Sequence, residues 1–359
     1  MGCERLSIVM RQVLPIQALR GLAALSVATL HIQQAAGAFV GTPGVAPYAW
    51  MRRIPWEAGV DVFFVISGFV IVYASAGMFG RARSIPGFLV RRIARVVPLY
   101  WLVTSLLILV AVLKVVALNR PLGDGARYIV ASYLFIPWMR PDGDLLPVYR
   151  PGWTLEYEML FYLTVAVFLS FRRRAALPLI AATVIAFALS GALLHPVQPQ
   201  LAFWTDPIVI EFVYGMLIAA CLIEGVSLSR ATRLALIVTG LAALALDGTA
   251  HGVHRAFSFG LPAACIVAAV ALGAERQTPP ALARFFVLLG DASYALYLTH
   301  LFPMRVLRDI GPGLHLTGGI GIAVYIVSSL IAASALALAV NAWFEKPATR
   351  TARLVLRAA

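Results

Sequence analysis

Apolar runs of bilayer-crossing length recur ten times along this sequence, and few folds can accommodate them. They lie at about 14–35, 58–77, 97–118, 153–171, 175–194, 206–223, 232–248, 257–273, 285–303 and 318–342. A helix needs roughly 17–25 residues to cross the hydrocarbon core. Backbone polar groups find no water there, so each run must satisfy its own hydrogen bonds as an α-helix. The expected fold is all-α, a polytopic integral membrane protein forming a single membrane-embedded domain over 1–359. Only 13% of the residues are charged, against about a quarter in a soluble domain. An eleventh stretch, 127–138, is too short to span and reads as a re-entrant or interfacial piece.

The net charge of +13 would suggest nucleic acid in a soluble protein. Here it follows the rule that cytoplasmic loops carry the basic residues. With a cytoplasmic N-terminus, 18 Lys and Arg residues fall on that side and 9 on the other, leaving aside Arg20 and Lys114 inside spans. Both termini are therefore expected in the cytoplasm. No zinc-finger spacing or RNA-binding signature supports a nucleic-acid partner. Cys3, Cys221 and Cys265 form no ligand or redox spacing. Leu6 breaks the myristoylation pattern begun by Met1-Gly2. Ala36-Gly37-Ala38 resembles a signal-peptide cleavage site, but Arg20 inside the preceding run points to a retained anchor helix.

That first run carries Arg20 and His31. Eleven residues turn a helix by three turns plus about 20°, so both side chains share one face, roughly 16 Å apart along the axis. A cation deep in the bilayer costs at least about 2.5–3.5 kcal/mol, and such residues usually face a protein interior or a pathway. Snorkelling to the two interfaces is the plainer alternative. Other spans add to the pattern. Asp61 opens the second, Glu156 and Glu158 the fourth, and His300 closes the ninth, all at the outer end in this topology. Arg92 and Arg95 stand at the cytoplasmic entrance of the third. Three residues apart on a helix, they face one way and offer forked donors suited to phosphate. Basic anchoring at the headgroups, with Pro98 setting the helix entry, is the plainer reading of that stretch. For Asp61, His31 is a sensible partner at similar depth. His195, His251, His254 and His315 fall in outer loops and read as solvent-facing.

Taken together, these stretches resemble membrane acyltransferase family 3, whose members move acyl groups from acyl-CoA onto carbohydrates and other acceptors. Arg20 and His31 match the family's arginine, ten residues, histidine pattern. Gly59 to Phe69 looks like its second-helix signature, and Arg92-Ile93-Ala94-Arg95 like its paired arginines. Gly152-Trp153-Thr154-Leu155-Glu156-Tyr157-Glu158 resembles its Trp-Ser-Leu-x-x-Glu stretch, which places the family glutamate at Glu158. Ser293-Tyr294-Ala295-Leu296-Tyr297-Leu298-Thr299-His300 is similar to its late motif, and Phe344-Glu345-Lys346-Pro347 to its tail. Thr154 departs from the usual serine but keeps the hydroxyl.

The resemblance implies a stand-alone O-acyltransferase of the inner (cytoplasmic) membrane. Its donor would be acyl-CoA, with acetyl-CoA as the default, and no permanently bound cofactor or metal is implied. The acceptor would be a carbohydrate, led by an exopolysaccharide repeat unit on a lipid carrier. O-antigen, peptidoglycan or a small secondary metabolite are the alternatives. Arg92 and Arg95, with Arg20, would bind the CoA moiety. His31 would act as general base or as a transient acyl carrier, oriented by Asp61 or Glu158. Trp153, Tyr157 and His300 would line the site. A transporter or flippase for lipid-linked sugar is the rival from another class, but the paired broken helices that would mark one are not evident as an internal repeat.

Overall fold

The computed structural model describes residues 13–39, 51, 53–117, 125–140, 142–246, 255–273, 281–311 and 318–351. The expectations for Cys3, His251, His254, His315 and the chain ends lie outside these. Among the described residues there are helices, turns and irregular segments and no strand, so the all-α expectation holds. Four helical segments are long and apolar enough to cross a membrane: Ser84–Leu113, Arg173–Leu194, Pro199–Ile223 and Gly319–Thr351. Shorter apolar helices lie at Ala58–Ala74 and Ala256–Ala271. Large apolar side chains such as Leu113, Leu193, Ile320 and Ile331 are exposed, as a lipid-facing surface requires and an aqueous one would penalise.

The chain divides into two compact units, Met1–Gly77 with Ile210–Trp343, and Met78–Val209 with Phe344–Ala359. In the first unit α1 (Leu14–Phe39) is the hub. It touches α2 (Ala58–Ala74), α10 (Leu261–Ala271), α11 (Ala281–Asp291), α12 (Ser293–Thr299), α13 (Leu301–Ile310) and α14 (Gly318–Val340). Its small residues Ala23, Ala24 and Ala28 are buried, which lets neighbouring backbones approach. The same device joins α2 to α8 (Ile210–Ile223): a Cβ on Gly68 would fall on the Phe212 carbonyl, and one on Gly215 on the Val65 carbonyl. The Ser67-Gly68 pair, small residues that permit close helix approach, is where α2 makes this contact. A helix at Arg230–Leu246 (α9) completes this unit's set.

One expected span is not a single helix. Residues 285–303 are shared among α11, α12 and α13, with the first break at Ala292. At the break the Asp291 carbonyl accepts a hydrogen bond from Asn341 Nδ2 at 3.0 Å, the kind of side-chain insertion that accompanies helix breaks.

The second unit holds α3 (Ser84–Ala117), α4 (Ala126–Tyr133), α5 (Trp153–Phe168), α6 (Arg173–Leu194) and α7 (Pro199–Trp204). α3 begins well before the expected position 97, so Arg92 and Arg95 lie inside the helix rather than ahead of it, and Pro98 lies mid-helix rather than at its entry. Arginine is a good helix former, and hydropathy alone hides that. α4 runs eight residues, about 12 Å, too short to cross. His195 caps α6 in the left-handed region and is exposed, as expected.

Candidate active site

In the first unit, α1 delivers His31 to His300 at the junction of α12 and α13. His300 Nε2 lies 3.1 Å from His31 Nδ1, with ring centroids 5.0 Å apart. The protons can be placed from the backbone. His300 Nδ1 contacts the carbonyls of Leu296 at 3.1 Å and Tyr297 at 2.9 Å. A carbonyl only accepts, so Nδ1 carries the proton and Nε2 is left as an acceptor. His31 Nδ1 contacts the Val27 carbonyl at 3.0 Å, so it too is protonated and shares its hydrogen between Val27 and His300. His31 Nε2 therefore keeps its lone pair. His300 is fully buried while His31 is only half-buried. The buried ring orients and the more accessible ring is free to take a proton.

Asp61 does not reach His31. Its Oδ2 accepts from Arg255 Nη2 at 2.8 Å, and the carboxylate is wholly buried. The expected histidine–carboxylate pair is thus replaced by a histidine–histidine pair and a separate buried ion pair. The Arg255 guanidinium also lies over the Phe259 ring, 5.1 Å from its centroid. Arg255 opens a π-turn at Ala256–Gly260, a backbone form that recurs at functional sites. Glu211, fully buried, packs against Gly260 and lies within electrostatic reach of Asp61. Arg20, on the same helix as His31, donates to Gln17 Oε1 at 3.2 Å.

In the second unit, Arg92 lies with its guanidinium 5.5 Å from the Phe88 ring centroid and 6.0 Å from that of Tyr162. Tyr162 donates its hydroxyl to Glu158 Oε1 at 2.5 Å. Glu158 and Arg95 are both within electrostatic reach of Arg92. The expectation that Glu158 sits at one end and the arginines at the other is corrected by helix geometry. α3 and α5 run antiparallel, since Arg92 pairs with Tyr162 while Tyr100, eight residues on, packs against Gly152. Glu158 lies between those two levels. Trp153 meets Tyr157 edge-on at 5.9 Å, and Tyr157 stacks on Phe203 at 4.2 Å.

Three participants escaped the sequence reading. Tyr162 was detectable, because it stands four residues after Glu158 on one helix face. Arg255 and Glu211 were not. Arg255 sits ahead of an apolar run like any loop arginine, and its partner is 194 residues away.

Four apolar helices long enough to cross a membrane, among the described residues, mark the chain as a membrane protein. The chain belongs to acyltransferase family 3, whose description, "Acyltransferase domain", it matches over residues 15–340. It is 31% identical over 297 residues to the exopolysaccharide production protein ExoZ of Rhizobium meliloti (strain 1021), covering 82% of this chain and 90% of that protein. It is also 30% identical over 193 residues to protein 2 in the picA locus of Rhizobium radiobacter, covering 50% of this chain and 91% of that one. No solved structure matches it.

Proposed function

We propose that this acyltransferase is an O-acetyltransferase. It moves an acetyl group from cytoplasmic acetyl-CoA to a hydroxyl of an exopolysaccharide or its lipid-linked precursor. The observation that carries the reading is His31 Nδ1 held between the Val27 carbonyl and His300 Nε2, which leaves Nε2 as the acceptor. The similarity to a protein named for exopolysaccharide production supports the acceptor class.

In this scheme His31 Nε2 accepts the proton of the acceptor hydroxyl as its oxygen attacks the thioester carbonyl carbon. Collapse of the tetrahedral intermediate breaks the C–S bond, and the imidazolium returns its proton to the departing CoA thiolate. The products are an acetyl ester and free CoA. His300 stabilises the imidazolium by accepting the Nδ1 hydrogen. An acetyl-His31 intermediate uses the same lone pair, with the acceptor attacking in a second step. Arg92 and Arg95 bind CoA phosphates with their forked donors, held in place by Tyr162 and Glu158. Asp61, committed to Arg255, supports the helices that carry His31. The protein works as a ten-span inner-membrane enzyme with both termini in the cytoplasm.

The test is CoA release from acetyl-CoA by detergent-purified protein with and without isolated polysaccharide precursor, the acetyl ester being detected by mass spectrometry. Release that depends on the acceptor and disappears in His31→Gln supports the scheme. Acceptor acetylation that persists in that variant rejects it.

A further inference from the structure

Glu156 is the carboxylate that the scheme above does not use. It stands on the first turn of α5, 1% exposed, and neither carboxylate oxygen has a hydrogen-bond partner among the described residues. Burying such a group unpaired is costly by several kcal/mol, so its retention needs a reason. It is not isolated. Tyr100 and Tyr128 lie within electrostatic reach of it. Two further buried polar atoms of this neighbourhood, Thr104 Oγ1 and Tyr128 Oη, also lack partners among the described residues. All four residues belong to one compact unit.

The neighbouring Ser132 shows the contrast. Its Oγ donates to the Tyr128 carbonyl at 2.9 Å and accepts from Val148 N–H at 3.0 Å, while its own carbonyl takes the Tyr100 hydroxyl at 3.1 Å. These bonds fix α3, α4 and the segment before α5 against one another. The structural hydrogen bonds here are satisfied, and those of Glu156, Thr104 and Tyr128 are left over. This end of the unit is also close to water, because the ion pairs Arg140–Asp142 and Arg150–Asp144 on the adjoining loop involve partly or fully exposed side chains. Arg140 lies over the Tyr128 ring, 5.8 Å from its centroid.

The chemistry of the leftover set selects its ligand. An ionised carboxylate only accepts hydrogen bonds and a protonated one also donates, while Thr and Tyr hydroxyls do both. None of the three side chains offers an anion a positive charge. A hard cation needs about six oxygen ligands, and no group of three or more His, Cys, Asp or Glu side chains suited to a metal forms among the described residues. A neutral polyol matches: adjacent hydroxyls donate to the two carboxylate oxygens and exchange hydrogen bonds with Thr104 and Tyr128. We propose that Glu156, with Thr104 and Tyr128, forms a recognition subsite for vicinal hydroxyls of the carbohydrate acceptor, a reading that rests on the acyl transfer proposed above.

The test uses the detergent-purified full chain, with cellobiose and galactose as probes followed by saturation-transfer NMR, and acetyl-CoA turnover measured alongside. Wild type is expected to bind at least one probe. Glu156→Gln, which keeps shape but replaces an acceptor oxygen with a donor, is expected to weaken binding about tenfold or more. It should leave acetyl-CoA affinity unchanged. Tyr128→Phe and Thr104→Val each remove one hydroxyl and should weaken sugar binding less. They carry the test if Glu156→Gln does not fold. Absence of sugar binding by wild type, or binding unchanged in the variants, overturns the subsite. Transfer to polysaccharide with sugar binding indifferent to Glu156 sinks the subsite and leaves the acetyltransferase reading standing. Glu156-dependent sugar binding without any CoA release does the reverse.

Discussion

His300 holds His31 through a chain of three acceptors: its own Nδ1 is committed to the carbonyls of Leu296 and Tyr297, so its Nε2 receives the His31 Nδ1 hydrogen at 3.1 Å. An imidazole commonly takes this support from a carboxylate. A second imidazole supplies the same tautomer control without placing a negative charge beside an apolar helix hub. The cost of burying a charge is thereby avoided.

The first expectation follows from that arrangement. His300→Leu removes the acceptor and should lower kcat by about tenfold or more while KM for acetyl-CoA stays near wild type. His300→Gln keeps a carbonyl oxygen able to accept the His31 hydrogen and should recover part of the loss. Equal loss in both variants, with unfolding temperatures also equally depressed, assigns His300 to packing alone.

His31→Gln is the direct test of the base. Glutamine stays polar and fits the helix but cannot take a proton near neutral pH. Turnover should fall by about 10²–10⁴, with acetyl-CoA binding retained, because Arg92 and Arg95 are untouched. A variant turning over at wild-type rate leaves neither the general-base nor the acyl-histidine route.

Replacing both Arg92 and Arg95 with alanine should weaken acetyl-CoA binding by about tenfold or more. Arg92→Lys should recover only part, since a point charge loses the bidentate fork and the flat face presented to Phe88 and Tyr162. Equilibrium binding of CoA to the purified variants decides it. Unchanged affinity in the double variant returns the pair to membrane anchoring.

Much of this is legible in the sequence itself. The eleven-residue step from Arg20 to His31 lies on one uninterrupted helix, as helical geometry demanded. The Ser67-Gly68 pair marked a close contact that Gly68 makes with Phe212. What stayed hidden was non-local or averaged away. His300 and His31 are separated by 269 residues and Asp61 and Arg255 by 194, so no spacing rule could join them. The break at Ala292 was smoothed over because hydropathy is summed across a window, and Asn341, which captures the Asp291 carbonyl, lies 50 residues away. The early start of α3 was missed for the opposite reason: Arg91, Arg92 and Arg95 depress hydropathy without disfavouring a helix.

Topology offers a separate check. A reporter fused after Ala359 should face the cytoplasm, since 18 of the 27 basic residues outside the spans fall on that side of a ten-span arrangement. A fully active C-terminal alkaline phosphatase fusion requires a different number of crossings.

The buried ion pair of Asp61 and Arg255 makes the last prediction. Arg255 Nη2 donates to Asp61 Oδ2 at 2.8 Å, and the two side chains are 18% and 0% exposed. Removing one partner leaves the other charge buried and uncompensated, a loss of about 3–5 kcal/mol. Arg255→Met and Asp61→Leu should therefore each depress the unfolding temperature in detergent sharply. The double variant replaces both charges with apolar groups and should regain much of the loss, because a well-packed apolar pair often matches a buried ion pair in stability. Activity then separates two roles for Asp61. If the carboxylate only braces α2 against the segment that opens α10, the refolded double variant should keep most of its turnover, with His31 and His300 still paired. A double variant that is stable, binds acetyl-CoA and yet releases no CoA would place Asp61 in the chemistry itself, and the division between a histidine pair that reacts and an ion pair that supports would have to be redrawn.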